Sequence, residues 1–313
     1  MTHSGEQMGN VTPRVICRQK KMERVMSATK KERTALVFAG GGSLGAAQVG
    51  MLEALAEAGV VPDLLVGASV GAINAAYFAS DPTRAGVERL ASIWRGLKRQ
   101  DVFRFSPVGV LLSLFGQRTY LCNAKVFRRF LERHLPYRLL EEARIPCHIV
   151  ASEMVSGEET LISSGPVISA LLASAAIPGI FPPEPLAGRY LLDGGIANHT
   201  PVSTAVSLGA TRLIVLPTGF TCAPEGLPQG ALNMALHALN LVIARQLVQD
   251  LERFTDQVEL AVVPSLCPQR THPLDFQRAG ELIDRGYETT RQWLASGGLE
   301  QPAMFKSLLP HRH

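Results

Sequence analysis

The run Gly67-Ala68-Ser69-Val70-Gly71 constrains this chain more than any other stretch, because it lies between an apolar segment of strand length, Asp63 to Ala68, and a helix of small residues, Val70 to Ser80. A serine at the tip of a sharp strand-to-helix turn sits in a strained backbone conformation. The residues two before and two after it must therefore be small, and here both are glycine. Ala72, Ile73, Asn74, Ala75 and Ala76 follow, keeping a helix close to the sheet with its positive N-terminal end toward the serine oxygen. Gly-x-Ser-x-Gly also arises by chance in glycine-rich turns, so the pattern counts only in a strand-turn-helix setting. That setting is present, and it makes Ser69 the candidate nucleophile, with Gly67 and Gly71 supporting the turn.

The body of the chain opens on Ala35 to Ala39, an apolar run without alternation, as expected for a strand covered on both faces. Gly40-Gly41-Gly42-Ser43-Leu44-Gly45 comes next, then a predicted helix from Ala46 to Ala58 with Gly59 closing it. Strand, glycine loop and helix together form an anion-binding arrangement, because consecutive glycines let backbone N–H groups turn toward one point. A phosphate loop would end in Gly-Lys-Ser/Thr, which is absent. A dinucleotide fingerprint wants a different glycine register and an acidic residue ending the second strand, whereas Asp63 starts it. An oxyanion hole serving Ser69 explains why the loop and the serine turn occupy successive strand ends, on one edge of a parallel sheet.

Charge excludes one class of function. Residues 1–33 hold eight Lys and Arg against Glu6, Glu23 and Glu32, and the remainder is near neutral, so the body carries no electrostatic footprint for nucleic acid. This first stretch lacks the apolar core of a secretory signal and reads as a mobile basic leader ahead of a single domain, 34–313. Five scattered cysteines without a Cys-x-x-Cys pair indicate neither a disulfide framework nor a zinc site, and a reducing, cytoplasmic compartment is the default. The long uncharged stretches Thr34 to Leu52 and Leu161 to Pro183 are broken by glycines and prolines, so they read as buried strands and turns rather than membrane spans.

Helices are predicted over Thr83 to Leu97 and Asn123 to Leu135. Between them, Val102 to Phe115 reads as a core-packed connection, with a lipid-contacting flap over the site as the alternative. Strands Cys147 to Ser152 and Thr160 to Ser163 form a predicted hairpin, and a helix follows from Pro166 to Ala175. Tyr190-Leu191-Leu192-Asp193-Gly194-Gly195 then offers a candidate base: Asp193 ends an apolar strand, and two glycines after it let another group approach. An ordinary Asp-Gly hairpin turn is the competing reading. Further on come a helix from Val202 to Leu208, a strand from Arg212 to Pro217, a long helix from Ala231 to Phe254, a strand from Val258 to Val263 and a last helix from Phe276 to Leu294.

Taken together, the glycine loop, the serine turn, the run Ala173-Ser174-Ala175-Ala176-Ile177-Pro178-Gly179-Ile180-Phe181-Pro182-Pro183, and Asp193-Gly194-Gly195 with Asn198 and Pro201 resemble the patatin-like phospholipase family over about residues 34 to 215. The resemblance implies a three-layer α/β/α sandwich with a mainly parallel central sheet, hydrolysing acyl esters of lipids through a serine-aspartate dyad. By position it makes Ser69 the nucleophile, Asp193 the base, and the backbone N–H groups of Gly41, Gly42 and Ser43 the oxyanion hole. Gly40, Gly45, Gly67, Gly71, Gly194 and Gly195 support those motifs. It implies a lipid or acyl-ester substrate; a dyad mechanism needs no metal and no organic cofactor, the basic leader and the apolar connection offer peripheral contact with a membrane surface, and the oligomeric state is left open. Leu44 stands where many members carry Arg or Lys, which leaves headgroup preference open, and His199 stands where Asn is usual. Two alternatives remain: an α/β-hydrolase triad completed by His199, His237 or His272, and a non-catalytic lipid-binding protein on the same scaffold.

Overall fold

The structure, a computed structural model, describes residues 32–104, 119–219, 230–267 and 271–301, without the side chains of 231–233 and 235–240. The basic leader, apart from its last two residues, and the 105–115 part of the apolar connection lie outside the described residues. The labels below number the described elements in chain order.

β1 (Thr34–Phe38) and β2 (Leu64–Ala68) are buried at every position, so neither strand alternates in sequence. Leu36, Phe38 and Leu65 point to one face of the sheet, and Ala35, Val37, Leu64 and Val66 to the other. Helices cover both faces. On the first lie α1 (Ala46–Glu57), α2 (Val70–Ser80), α3 (Arg84–Gly96), α5 (Lys125–His134), α6 (Val167–Ser174) and α10 (Ala279–Ala295), all contributing to one apolar cluster. A short α4 (Arg99–Val102) connects α3 to the segment before α5. On the second face lie α8 (Val202–Ser207) and α9 (Ala231–Phe254), whose Val202, Ala205, Leu251 and Phe254 close the other cluster. This is the three-layer α/β/α sandwich expected from the sequence.

β3 (Cys147–Glu153), β7 (Arg212–Leu216) and β8 (Glu259–Val262) continue the parallel sheet, in the order β3-β2-β1-β7-β8. β4 (Glu159–Ile162), β5 (Glu184–Leu186) and β6 (Arg189–Asp193) are the antiparallel additions. β5 has only three residues, one of them proline, too short for a strand signal to stand out in sequence.

The arrangement around β3 matters most for the site. β4 runs along one edge of it. Along the other edge β2 pairs with Cys147 through Val150, and β6 takes over at Ala151, so Ala68 lies opposite Val150 and Asp193 opposite Ala151. Two strands running in opposite senses thus end against each other at one point.

Arg33, counted with the leader, is already tied to the body. Its backbone N–H donates to Thr211 Oγ1 at 2.8 Å, and its guanidinium donates to the Leu208 carbonyl at 2.6 Å. Among the described residues, no helix is long and apolar enough to cross a membrane.

Candidate active site

Ser69 sits at the junction of β2 and α2 with φ 53° and ψ −127°, a region that residues with a side chain rarely occupy. Two supports hold it there. Gly71 lets α2 pass so close to β1 that a Cβ would lie 2.5 Å from the carbonyl oxygens of both Phe38 and Ala39. The Ser69 N–H donates to Ser174 Oγ at 2.8 Å, and Ser174 Oγ donates to the Val150 carbonyl at 2.6 Å, so α6 and β3 brace the turn from the far side.

Asp193 receives the serine hydroxyl directly: Ser69 Oγ donates to Asp193 Oδ2 at 2.7 Å. The other carboxylate oxygen accepts the Gly195 N–H at 2.8 Å, from the first residue of a short turn of helix, α7 (Gly195–Asn198). Asp193 therefore ends a strand and feeds a helix turn, which sets aside the hairpin-turn reading. Its carbonyl accepts from Ser152 Oγ at 2.8 Å, and Ser152 Oγ in turn accepts the Ala197 N–H at 3.0 Å. With 7% of its surface exposed, the carboxyl is pushed up to about 6, because burial penalises its charge by more than the Ser69 and Gly195 hydrogen bonds return.

The glycine loop lies beside this pair. Gly41 and Gly42 have φ of 145° and 61°, and a Cβ on Gly42 would fall 2.4 Å from the Pro273 carbonyl oxygen. Their N–H groups donate to no group among the described residues, whereas the Ser43 N–H donates to the Pro273 carbonyl at 2.8 Å and the Gly40 N–H to the His199 carbonyl at 3.0 Å. Of the three amides expected to serve an oxyanion, two are therefore open, and Ser43 is engaged by a residue far along the chain. A buried polar network fixes the loop to the serine helix. Asn74 Nδ2 donates to the Gly45 carbonyl and to Gln48 Oε1, both at 2.9 Å, and Gln48 Nε2 donates to the Ala39 and Leu216 carbonyls, also at 2.9 Å. Trp94 Nε1 donates to Asn74 Oδ1 at 3.0 Å.

Among the described residues, one of the histidines weighed as triad members, His199, packs against the pair. Its imidazole lies between the loop and the acid: a Cβ on Gly40 would be 3.0 Å from Nε2 and 3.4 Å from Ser69 Cβ, and one on Gly195 would be 3.2 Å from Cδ2. Burial pushes this imidazole down to about 4. No ring stands between Ser69 Oγ and Asp193 Oδ2. His272 is exposed and offers its carbonyl to Ser43 Oγ at 3.1 Å, and the side chain of His237 lies outside the described residues. Ser152, Gln48 and Asn74 lie in no motif that marks them, and Ser174 lies in one that gives it no role. The available signal is that each is a polar residue in a run otherwise apolar or small, at a position that must be buried.

An apolar cavity opens from Gly42 and Ser69 between α2, α3 and α5, with Ile73, Trp94, Phe103, Phe127 and Phe181 among its walls. Phe103, Phe127 and Phe181 stack at ring separations of 5.4 and 5.7 Å. The described start of the apolar connection, Val102 and Phe103, is thus buried in this wall. Among the described residues no group of His, Cys, Asp and Glu could hold a metal ion.

Comparison with known proteins follows these same elements. A rat protein, patatin-like phospholipase domain-containing protein 7, is 30% identical over 187 residues, which are 59% of this chain and 13% of that protein. Its mouse counterpart of the same name is 28% identical over 298 residues, 85% of this chain and 21% of that protein. The chain thus spans about a fifth or less of the length of these relatives. Among solved structures, human GIVD cytosolic phospholipase A2 in complex with methyl gamma-linolenyl fluorophosphonate aligns with a TM-score of 0.46 at 14% identity, covering 92% of this chain and 62% of that one. The profile of the patatin-like phospholipase family matches residues 36–206, more than half of the chain. That stretch contains the glycine loop, the serine turn and Asp193-Gly194-Gly195, and on this ground the chain belongs to the patatin-like phospholipase family.

Proposed function

We propose that this protein is a serine lipid acyl hydrolase in which Ser69 and Asp193 do the chemistry without a histidine. One observation carries the reading: the 2.7 Å hydrogen bond from Ser69 Oγ to Asp193 Oδ2, placed where an apolar cavity meets two open backbone N–H groups. An acyl chain in the cavity brings its ester carbonyl to Ser69. Ser69 Oγ attacks the carbonyl carbon as its proton passes to Asp193 Oδ2, and the Gly41 and Gly42 N–H groups take up the negative oxygen that forms. Asp193 then gives the proton to the departing alcohol. Water attacks the acyl-serine ester, losing its proton to Asp193, which returns it to Ser69 Oγ as the fatty acid leaves. A carboxylate with the ordinary aspartate value near 3.9 is a weak base at neutral pH, and the upward shift of Asp193 brings it closer to the working range.

A fluorophosphonate probe with mass mapping, run beside a panel of phospholipid, lysophospholipid, monoacylglycerol and short p-nitrophenyl esters, tests the reading. Labelling at Ser69, lost in Ser69→Ala together with ester turnover, is the expected result. An unlabelled Ser69 in a protein that still binds lipid favours the non-catalytic reading instead.

A further inference from the structure

Each end of the glycine loop is held by a group tied to one ring in the wall of the apolar cavity. At the Gly45 end, Asn74 Nδ2 donates to the Gly45 carbonyl at 2.9 Å, and Asn74 Oδ1 accepts from Trp94 Nε1 at 3.0 Å. At the Gly42 end, the segment leading into α10 accepts twice from Ser43: the N–H donates to the Pro273 carbonyl at 2.8 Å, and Oγ donates to the His272 carbonyl at 3.1 Å. The Asp275 N–H closes this segment by donating to the same His272 carbonyl at 2.8 Å, and Phe276 is the next residue.

The two rings then meet each other. Trp94 and Phe276 line the cavity beside Gly42 and Ser69, both are buried, and they stack at 6.3 Å with their planes 17° apart. Phe103 packs against Phe276 at 6.0 Å. The contacts therefore form a closed circuit. It runs from Trp94 through Asn74 to Gly45, along the loop to Ser43, and through Pro273 to Phe276 and back to Trp94. In a close-packed interior a shift of either ring is passed to the loop. An apolar wall has no need of an indole N–H, and this one is used on Asn74, which lies outside the cavity lining.

We propose that Trp94 and Phe276 are positioning residues through which the acyl chain sets the oxyanion donors. A chain packed against the ring faces fixes the rings; through Asn74 and Pro273 the rings fix the Gly41 and Gly42 N–H groups. A short ester leaves the ring faces uncovered and the loop freer to move. Acyl recognition is then expressed in kcat, because contacts to a part of the substrate that does not react are used to orient the groups that do. The proposal rests on the acyl hydrolase reading.

The test uses the full chain and p-nitrophenyl acetate, butyrate, octanoate and decanoate, all kept monomeric, with kcat and KM read separately. Wild-type kcat is expected to rise by about tenfold or more from the acetate to the decanoate. Trp94→Phe keeps a ring in the wall and removes the N–H donor. It is expected to abolish most of that rise while KM for the decanoate changes by less than about threefold. Phe276→Leu, which loosens the stack from the other side, acts in the same direction. A rise that survives both changes, or a loss that falls on KM alone, overturns the proposal and leaves the rings as cavity wall. A loss of kcat equal at every chain length overturns it as well, since a merely structural role acts on all substrates alike.

Hydrogen exchange at the Ser43 and Leu44 amides judges the coupling without any chemistry. Decanoate added to Ser69→Ala should slow exchange there by about tenfold, and Ser69→Ala/Trp94→Phe should lose that protection. Unchanged exchange in Ser69→Ala, or equal slowing in both proteins, refutes the coupling. Protection by decanoate in a protein that hydrolyses none of the four esters upholds the coupling and sinks the acyl hydrolase reading alone.

Discussion

Ala68 and Asp193 occupy successive places along one edge of β3, opposite Val150 and Ala151, although they arrive on strands of opposite direction. Ser69, the residue after Ala68, is therefore delivered to the Asp193 carboxylate by backbone pairing, and the 2.7 Å hydrogen bond between them is the outcome of strand register. Gly194 completes the junction: a Cβ there would meet the Val150 carbonyl oxygen at 2.1 Å.

If the pair acts as a unit, Ser69→Ala and Asp193→Asn each lower ester turnover by at least about a thousandfold, and the double variant is scarcely worse than either. The comparison is made on kcat/KM for a short soluble ester. Additive losses in the double variant would show two independent contributions and sink the dyad.

The acid limb of activity follows the carboxylate. If Asp193 is the base proposed above, it must be ionised to accept the serine proton, and kcat/KM is expected to rise with pH as a single-proton step centred near pH 6 and to be level above it. A midpoint near the unperturbed aspartate value, about 3.9, would show that the carboxyl is not desolvated in solution.

Stability and pH carry opposite signs at the two buried groups. Asp193 is raised from 3.8 to about 6, so between those values the folded state holds more protons than the unfolded one, and stability falls as pH rises. His199 is lowered from 6.5 to about 4, so there the unfolded state holds more protons, and stability is lost as pH falls. The two slopes oppose each other over roughly pH 4–6. Asp193→Asn leaves only the histidine slope: its melting temperature should exceed that of the wild type at pH 8, by the equivalent of up to about 3 kcal/mol, and fall more steeply toward pH 4. Parallel melting curves for the two proteins at every pH would refute this.

Ser174→Ala should weaken the serine turn without touching the reacting atoms. The change strands the Ser69 N–H and the Val150 carbonyl, at a cost of about 1–3 kcal/mol for an unpaired buried group. Turnover is expected to drop in kcat more than in KM. Urea unfolding and steady-state kinetics on the same preparation read both effects.

Gly42→Ala should displace an oxyanion donor. The new Cβ meets the Pro273 carbonyl at 2.4 Å and takes a positive φ, so the loop must shift. A fall in kcat of about a hundredfold or more is expected, with fluorophosphonate labelling slowed to match. Unchanged kcat would remove the Gly42 N–H from the mechanism.

Much of this was legible before any coordinates. Residue size dictates the turn at Ser69, because only glycine fits two places either side of it, and the predicted helix from Val70 to Ser80 matches α2 at both ends. The unalternating runs of β1 and β2 announce strands covered on both faces, and so helices on both sides. The strand-loop-helix order around the glycine loop was legible as a candidate anion-binding turn, and the fold sets that loop beside Ser69. What local sequence does not contain is which distant groups meet. Asp193 lies 124 positions from Ser69, and their contact depends on β6 taking over the edge of β3 where β2 stops, a choice made by the burial of several elements at once. The same holds for Pro273, whose carbonyl occupies the Ser43 N–H and leaves two open loop N–H groups in place of three, and for Ser174 and His199, whose contacts with the serine turn and the pair only packing assigns. Backbone sterics act between neighbours and can be read along the chain. Hydrogen-bond partners and desolvation arise between segments, and only the folded arrangement assigns them.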